Sequence, residues 1–334
     1  MSRVAVVGAG SWGTTLADLL ANRGHEVVVW AFEPEVAEGI NRRHRNDLFL
    51  PQAPLHVSVT STTDVRAAVR DAELIVSAAP SHAVRTVMGE AAAVRDGAIV
   101  VSASKGLESD DCKRMTEVLS DVLPPGTGVA ALSGPTFARE VYERQPTAVA
   151  VASADADVAR RAQLALSAPH FRIYTNEDVI GVELGGALKN IIAIAAGILD
   201  GLGIGHNARA ALITRGLAEI TRLGVALGAQ PLTFAGLAGM GDLVLTTTGH
   251  LSRNRSLGVA LGQGQKLADI MAQRISVAEG VRTARAAVAL GERVGVELPI
   301  GREVARVLFE DKAPRQAIGD LMERSLKSES WSVR

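Results

Sequence analysis

Apolar residues in the first half of the chain fall into short continuous runs separated by amphipathic stretches. Residues 3–7, 27–30, 74–78, 99–102, 129–132 and 148–152 read as strands, and a weaker alternation over 57–60 adds another. The stretch 14–23 places Leu16, Leu19 and Leu20 at helical spacing and stops at Gly24. Residues 65–70, 83–94, 110–122 and 155–167 read as further helices. Strands that are apolar throughout, rather than alternating, belong to sheets covered on both faces. With helices between them, right-handed crossovers then predict a parallel, doubly wound sheet.

The pattern changes near Asn176. From residue 178 onward the strand signal disappears, and helices are predicted over 178–200, 207–228, 256–263, 265–273, 279–294, 299–309 and 314–322. The expected fold class is therefore α/β: an N-terminal doubly wound domain over 1–177, and a second, all-α domain over 178–334. The length of 334 residues fits two domains of about 100–200 residues each.

Composition mostly excludes. Lys and Arg total 35 against 36 for Asp and Glu, so there is no broad basic field to attract nucleic acid or an anionic membrane. Aromatics are only 3% of the chain, which leaves little for base-stacking platforms. Cys112 is the single cysteine, which rules out a disulfide within the chain and fits a reducing cytoplasm. Its expected place is a half-buried position on the 110–122 helix. The first residues lack the features of a secretory signal. The longest apolar stretch, 180–199, contains Glu183, Lys189 and Asn190, and reads as a buried helix rather than a membrane span. The histidines show no metal-ligand spacing, and no metal site is expected.

Gly8-Ala9-Gly10-Ser11-Trp12-Gly13 matches G-x-G-x-x-G between a predicted strand and a predicted helix. In a Rossmann-type unit the first glycine (Gly8) permits the tight turn, the second (Gly10) lets backbone approach a pyrophosphate, and the third (Gly13) allows close helix–strand packing. The helix N-terminus supplies free N–H groups and positive dipole. The residue that reads the adenosine ribose should follow the second strand, at Phe32 or Glu33; Glu33 lies 20 residues past Gly13. An acidic side chain there accepts from a ribose 2′-hydroxyl.

Lys189 stands in the middle of a helix that is apolar nearly all round. Burying an unpaired ammonium is costly, so this lysine must be paired, deprotonated or in contact with a ligand. A second polar cluster runs through Asp242, Thr246, Ser252, Arg253 and Asn254, and suits an anion. The Ser104-Lys105-Gly106 turn follows a predicted strand on the ligand-binding edge of the sheet. Lys105, Lys189 and Arg253 can therefore converge on one negatively charged substrate.

These stretches, with LSGPTFARE (132–140), ELGGALKNIIAIAAGILDGL (183–202), AGLAGMGDLVLTTT (235–248) and VAEGVRTA (277–284), resemble the bacterial type of NAD(P)-dependent glycerol-3-phosphate dehydrogenase across nearly the whole chain. The resemblance implies interconversion of sn-glycerol 3-phosphate and dihydroxyacetone phosphate with NAD or NADP. It also implies a supply of glycerol phosphate for phospholipid synthesis, and a homodimer. Lys189 matches the family's proton acceptor and one of its substrate contacts. Lys105, Gly134, Thr136, Asp242, Ser252, Arg253 and Asn254 match the other substrate contacts. Ser11, Trp12, Phe32, Lys105, Ala138, Arg253, Val277 and Glu279 match its dinucleotide contacts. Phe32 departs from the basic residue that many members carry there, which puts the choice between NADH and NADPH in question; Arg42, Arg43 and Arg45 are nearby in sequence. Two other readings remain open: a two-domain dehydrogenase acting on a hydroxy acid or a ketopantoate-like substrate, and a non-catalytic dinucleotide sensor.

Overall fold

The structure, a computed structural model, describes residues 2–91, 94–272, 278–326 and 328–329. Its first part alternates β1 (Arg3–Val7), α1 (Ser11–Asn22), β2 (Glu26–Trp30), α2 (Pro34–Arg43), β3 (Val59–Thr62), α3 (Val65–Val69), β4 (Leu74–Ser77), α4 (Val84–Glu90), β5 (Ile99–Ser102), α5 (Met115–Val122), β6 (Gly128–Ser133), α6 (Ala138–Tyr142), β7 (Thr147–Ala152), α7 (Ala156–Leu166) and β8 (Phe171–Asn176). The strands form one sheet in the order β3-β2-β1-β4-β5-β6-β7-β8. Strands β1 to β6 are mutually parallel. The winding reverses between β1 and β4, so the C-terminal ends of those strands flank the crevice where ligands bind in such sheets. Successive residues of β1 serve opposite layers: Val4 and Val6 join one core cluster, Ala5 and Val7 another. That is why the strands read as continuous apolar runs.

The sheet is not parallel throughout. β7 runs antiparallel to β6, and β8 runs parallel to β7. The link 134–146 carries only the short α6 and stays at the C-terminal end of β6, so the chain enters β7 from that end. The strand expected at 57–60 lies two residues later, at β3. Strand β8 and helices α2 and α6 were not expected. β8 is an edge strand whose buried Phe171 and Ile173 alternate with exposed Arg172 and Tyr174.

Two expected helices are shorter. The one over 83–94 resolves into a 3₁₀ turn (Ser81–Ala83) and α4; Ala92 and Ala93 lie outside the described residues. The one over 110–122 starts only at Met115, because 107–114 is a loop closed by a bridge between Leu107 and Arg114. Cys112 therefore lies in that loop, at φ 58°, and not on a helix. It is buried, and its thiol donates to the Ala286 carbonyl at 3.4 Å.

The second part is helical: α8 (Val179–Gly201), α9 (His206–Ala226), α10 (Pro231–Ala235), a π-turn (Leu237–Gly241), α11 (Asp242–Thr248), α12 (Arg253–Gly262), α13 (Leu267–Ala272), α14 (Glu279–Arg293), α15 (Pro299–Phe309) and α16 (Pro314–Met322). Residue 273, the end of one predicted helix, lies outside the described residues. α8 is long and apolar enough to cross a membrane, but 83% of its most apolar window is buried inside the molecule. It is the axle of the helical core. α12 crosses it at backbone contact: a Cβ on Gly197 would stand 2.0 Å from the Arg255 carbonyl oxygen, and one on Gly258 would stand 2.0 Å from that of Ile194.

Candidate active site

The C-terminal edge of the sheet and the middle of α8 meet without room for side chains. A Cβ on Gly185 would lie 2.4 Å from the Ala238 carbonyl oxygen, and one on Gly186 would lie 2.3 Å from Ser133 Oγ at the end of β6. This contact carries Lys189, one turn further along α8, into the space between β6 and α11. Lys189 is 5% exposed and Asp242, the first residue of α11, is wholly buried.

Lys189 Nζ donates to Asp242 Oδ1, and also to Thr246 Oγ1 at 2.8 Å. Lys105 Nζ donates to Asp242 Oδ2 at 2.8 Å, to the Gly134 carbonyl at 2.8 Å and to Thr136 Oγ1 at 3.2 Å. Thr246, one turn after Asp242, donates to the Asp242 carbonyl at 2.7 Å. The lysine in the apolar helix is therefore paired. One carboxylate serves two lysines, so with both protonated the cluster carries a net positive charge that suits an anion. Burial pushes the Lys189 amine down to about 7; the Lys105 charge acts the same way and Asp242 opposes it. An amine in that range exchanges protons near neutral pH.

Beside this cluster stands the start of α12. Ser252 caps it, its hydroxyl accepting the Arg255 amide at 3.2 Å. Arg253 is the first helical residue and is exposed. Asn254 is buried: its amide donates to Asn190 Oδ1 at 2.9 Å, and its Oδ1 accepts Gly280 N–H at 3.0 Å. It thus ties α12 to α8 and α14. Asp200, on the last turn of α8, pairs with Arg255 at 2.7 Å and with Arg209.

The glycine-rich turn links β1 to α1. Gly8 stands at φ 121°, and a Cβ there would lie 2.7 Å from the Ala78 backbone. A Cβ on Gly13 would lie 1.9 Å from the Gly8 carbonyl oxygen, so only glycine lets α1 approach this closely. At Gly10 a Cβ would meet nothing within 4 Å. Gly10 occupies the N-cap of α1 and offers no capping side chain, so the first amides of the helix remain for a ligand. Open space, free amides and helix dipole together fit a pyrophosphate.

The remaining positions surround this crevice. Ser11 begins α1, and Trp12 follows it, with its ring 6.3 Å from that of Phe171. The indole N–H of Trp12 is buried without a partner. The Ala138 carbonyl, at the start of α6, accepts the Thr15 hydroxyl at 3.1 Å. Glu279 begins α14 and accepts the Ser81 amide at 3.1 Å and the Ser81 hydroxyl at 2.6 Å, bridging the two parts of the chain. Phe32 follows β2, 77% exposed, and Glu33 stands at the N-cap of α2 without capping it. Val277 lies outside the described residues. The ends of β2 and β5 are three strand spacings apart, about 14 Å, so Phe32 and Glu33 sit well away from Lys105.

Sequence reading did not assign roles to Thr246, Ser81 and Asn46. Thr246 lies four residues after Asp242, a spacing that shares a face once α11 is known to be a helix. Asn46 is buried and donates to the Ala9 carbonyl at 2.7 Å, bracing the glycine-rich turn; no local signal marks it.

Models of the NAD-dependent glycerol-3-phosphate dehydrogenase N-terminus and C-terminus match residues 3–159 and 178–319. The chain is 54% identical to the glycerol-3-phosphate dehydrogenase [NAD(P)+] of Geobacter sulfurreducens, covering 98% of this chain and 99% of that one. It is 52% identical to the same-named protein of Myxococcus xanthus, covering 99% and 100%. Among solved structures, a glycerol-3-phosphate dehydrogenase from Coxiella burnetii superposes with a TM-score of 0.93 at 38% identity, covering 97% of this chain and 99% of that chain. A ketopantoate reductase from Ralstonia eutropha shares the fold at 17% identity and a TM-score of 0.63, covering 95% and 99%. The two family models, placed end to end on a sheet part and a helical part that meet at Lys189, show that this chain belongs to the NAD-dependent glycerol-3-phosphate dehydrogenase family.

Proposed function

We propose that the chain interconverts sn-glycerol 3-phosphate and dihydroxyacetone phosphate with a nicotinamide dinucleotide, and so supplies glycerol phosphate for phospholipid synthesis. The observation that carries this reading is the buried Lys189–Asp242–Lys105 cluster at the mouth of the crevice. The bound nicotinamide supplies hydride chemistry at the substrate C2. The protein supplies the proton: the neutral Lys189 amine takes it from the C2 hydroxyl during oxidation, and the ammonium returns it to the developing alkoxide during reduction. Asp242 holds both ammonium groups in place. Lys105, fixed by Gly134 and Thr136, adds positive charge where oxyanion character develops. Arg253, exposed at the first turn of α12, faces the phosphate, and the helix N-terminus reinforces it. Ser252 and Asn254 act through that helix, because the bonds they make set its start and its seat on α8. Gly8, Gly10, Ser11, Trp12 and Gly13 cradle the pyrophosphate; Phe32 and Glu33 face the adenosine end, and Ala138 and Glu279 border the crevice. We assign residues 1–177 to dinucleotide binding and 178–334 to substrate binding and catalysis. A homodimer in the cytoplasm completes the proposal.

The test is oxidation of NADH and of NADPH with dihydroxyacetone phosphate. Wild-type protein should turn over. Lys189→Met should abolish turnover while still binding nucleotide, and near wild-type kcat in that variant would remove Lys189 from the mechanism. Activity on a 2-keto acid but not on dihydroxyacetone phosphate would refute the substrate assignment.

A further inference from the structure

We propose that the dinucleotide site of this chain selects against a 2′-phosphate and takes NADH in preference to NADPH, with Phe32 and Glu33 setting the choice. The inference rests on the dehydrogenase reading above. In a doubly wound sheet the residue after the second strand meets the adenosine ribose, and a 2′-phosphate there requires a basic partner. Here that position is Phe32, whose ring stands edge-on to Trp30 at 6.4 Å between centroids and is otherwise open to solvent. Next to it, the Glu33 carboxylate has no hydrogen-bond or ion-pair partner among the described residues. It is available to accept from a ribose hydroxyl.

The charges around this end of the crevice point the same way. Trp30 and Phe32 border a shallow depression shared with Asp64, Arg66 and Glu90. Asp64 caps α3 by accepting the amides of Arg66 at 2.9 Å and Ala67 at 3.1 Å. The Arg66 guanidinium borders the same depression and is held there by the protein itself, its Nε donating to the Glu90 carbonyl at 3.2 Å. With Glu33, three carboxylates stand against one guanidinium.

Two of the arginines that sequence places nearby are engaged elsewhere. Arg42 pairs with Glu38 at 2.9 Å and Arg43 with Asp47 at 3.7 Å. Both belong to the last turn of α2, about 14–15 Å along the helix axis from Glu33. Arg45 lies beyond them, its backbone bridged to Pro54. A phosphate dianion would thus meet an uncompensated carboxylate, whereas a hydroxyl would meet an acceptor.

Two measurements test this. In dihydroxyacetone phosphate reduction, kcat/KM should favour NADH over NADPH by about 10- to 100-fold, and Phe32→Arg should narrow that ratio. Independently of turnover, 5′-ADP should raise the unfolding midpoint of wild-type protein more than 2′,5′-ADP at equal concentration. Equal or better use of NADPH, or equal stabilisation by 2′,5′-ADP, would overturn the inference. If Phe32→Arg does not fold, the wild-type nucleotide comparison still decides. If neither dinucleotide is oxidised but 5′-ADP remains the better ligand, the dehydrogenase reading fails and the discrimination stands.

Discussion

Lys189 concentrates the chemistry in one side chain. It is held by Asp242 and Thr246, yet burial brings its amine down to about 7. Oxidation of glycerol phosphate needs the neutral amine and reduction needs the ammonium. The rate of oxidation should therefore rise with pH and level off above about 7, while reduction should fall over the same range. Initial-rate profiles of kcat/KM in both directions check this. Profiles flat through neutrality, or shifting in the same direction, would separate Lys189 from the proton transfer. The lysine itself was legible in the sequence, because an ammonium in an all-apolar helix demands an explanation. Its partner entered through the family resemblance and not through any local pattern. Asp242 lies 53 residues away, and no local pattern says which of several carboxylates crosses the gap. Thr246 stood in the same polar cluster, but its bond to Lys189 was not readable: without α11 in view, its four-residue spacing from Asp242 carries no meaning.

At the scale of elements, glycines decide how closely helices lie. Gly197 and Gly258 bring α8 and α12 into backbone contact, and that contact seats the turn carrying Arg253 and Asn254. Gly258→Ala should cost about 1–3 kcal/mol through overpacking, read as a lower urea midpoint. An unchanged midpoint would mean that α12 moves aside freely. Most elements could be read from apolar periodicity, and the deepest ones best: β5 lies where it was expected, at Ile99–Ser102. Errors gathered at the margins. β8 is half exposed, so its apolar positions alternate instead of running together. α10 and α11 are too short for their periodicity to register, and residues 110–114 of the loop were absorbed into α5. The reversal of β7 was illegible because strand direction depends on where a link travels, not on what the strand contains.

Across the whole molecule, the sheet and helical parts are joined by buried polar contacts as well as by packing. Glu183, on α8, accepts the Thr116 amide at 2.8 Å, the Thr116 hydroxyl at 2.6 Å and the Arg114 guanidinium at 2.7 Å, at the start of α5. Glu183→Ala leaves the helix-start Thr116 amide without its acceptor, and Arg114 with Glu117 as its remaining carboxylate. It should lower unfolding stability by about 1–3 kcal/mol, with Glu183→Gln recovering part of the loss. A drop below about 1 kcal/mol, the range of exposed pairs, would show that packing alone joins the two parts. The change from strands to helices was readable because strand signal gives out after Asn176. The seam was not, since Glu183 and its partners are 67 and 69 residues apart.

The lone cysteine gains a use from its location. Cys112, within the 107–114 loop, is buried against the Ala286 carbonyl on α14, where the sheet part rests on the helices. A thiol reagent reaches it only when that seam parts. The rate at which a chromogenic disulfide consumes this one group is therefore a clock for opening of the joint, and the chain carries it without an engineered label.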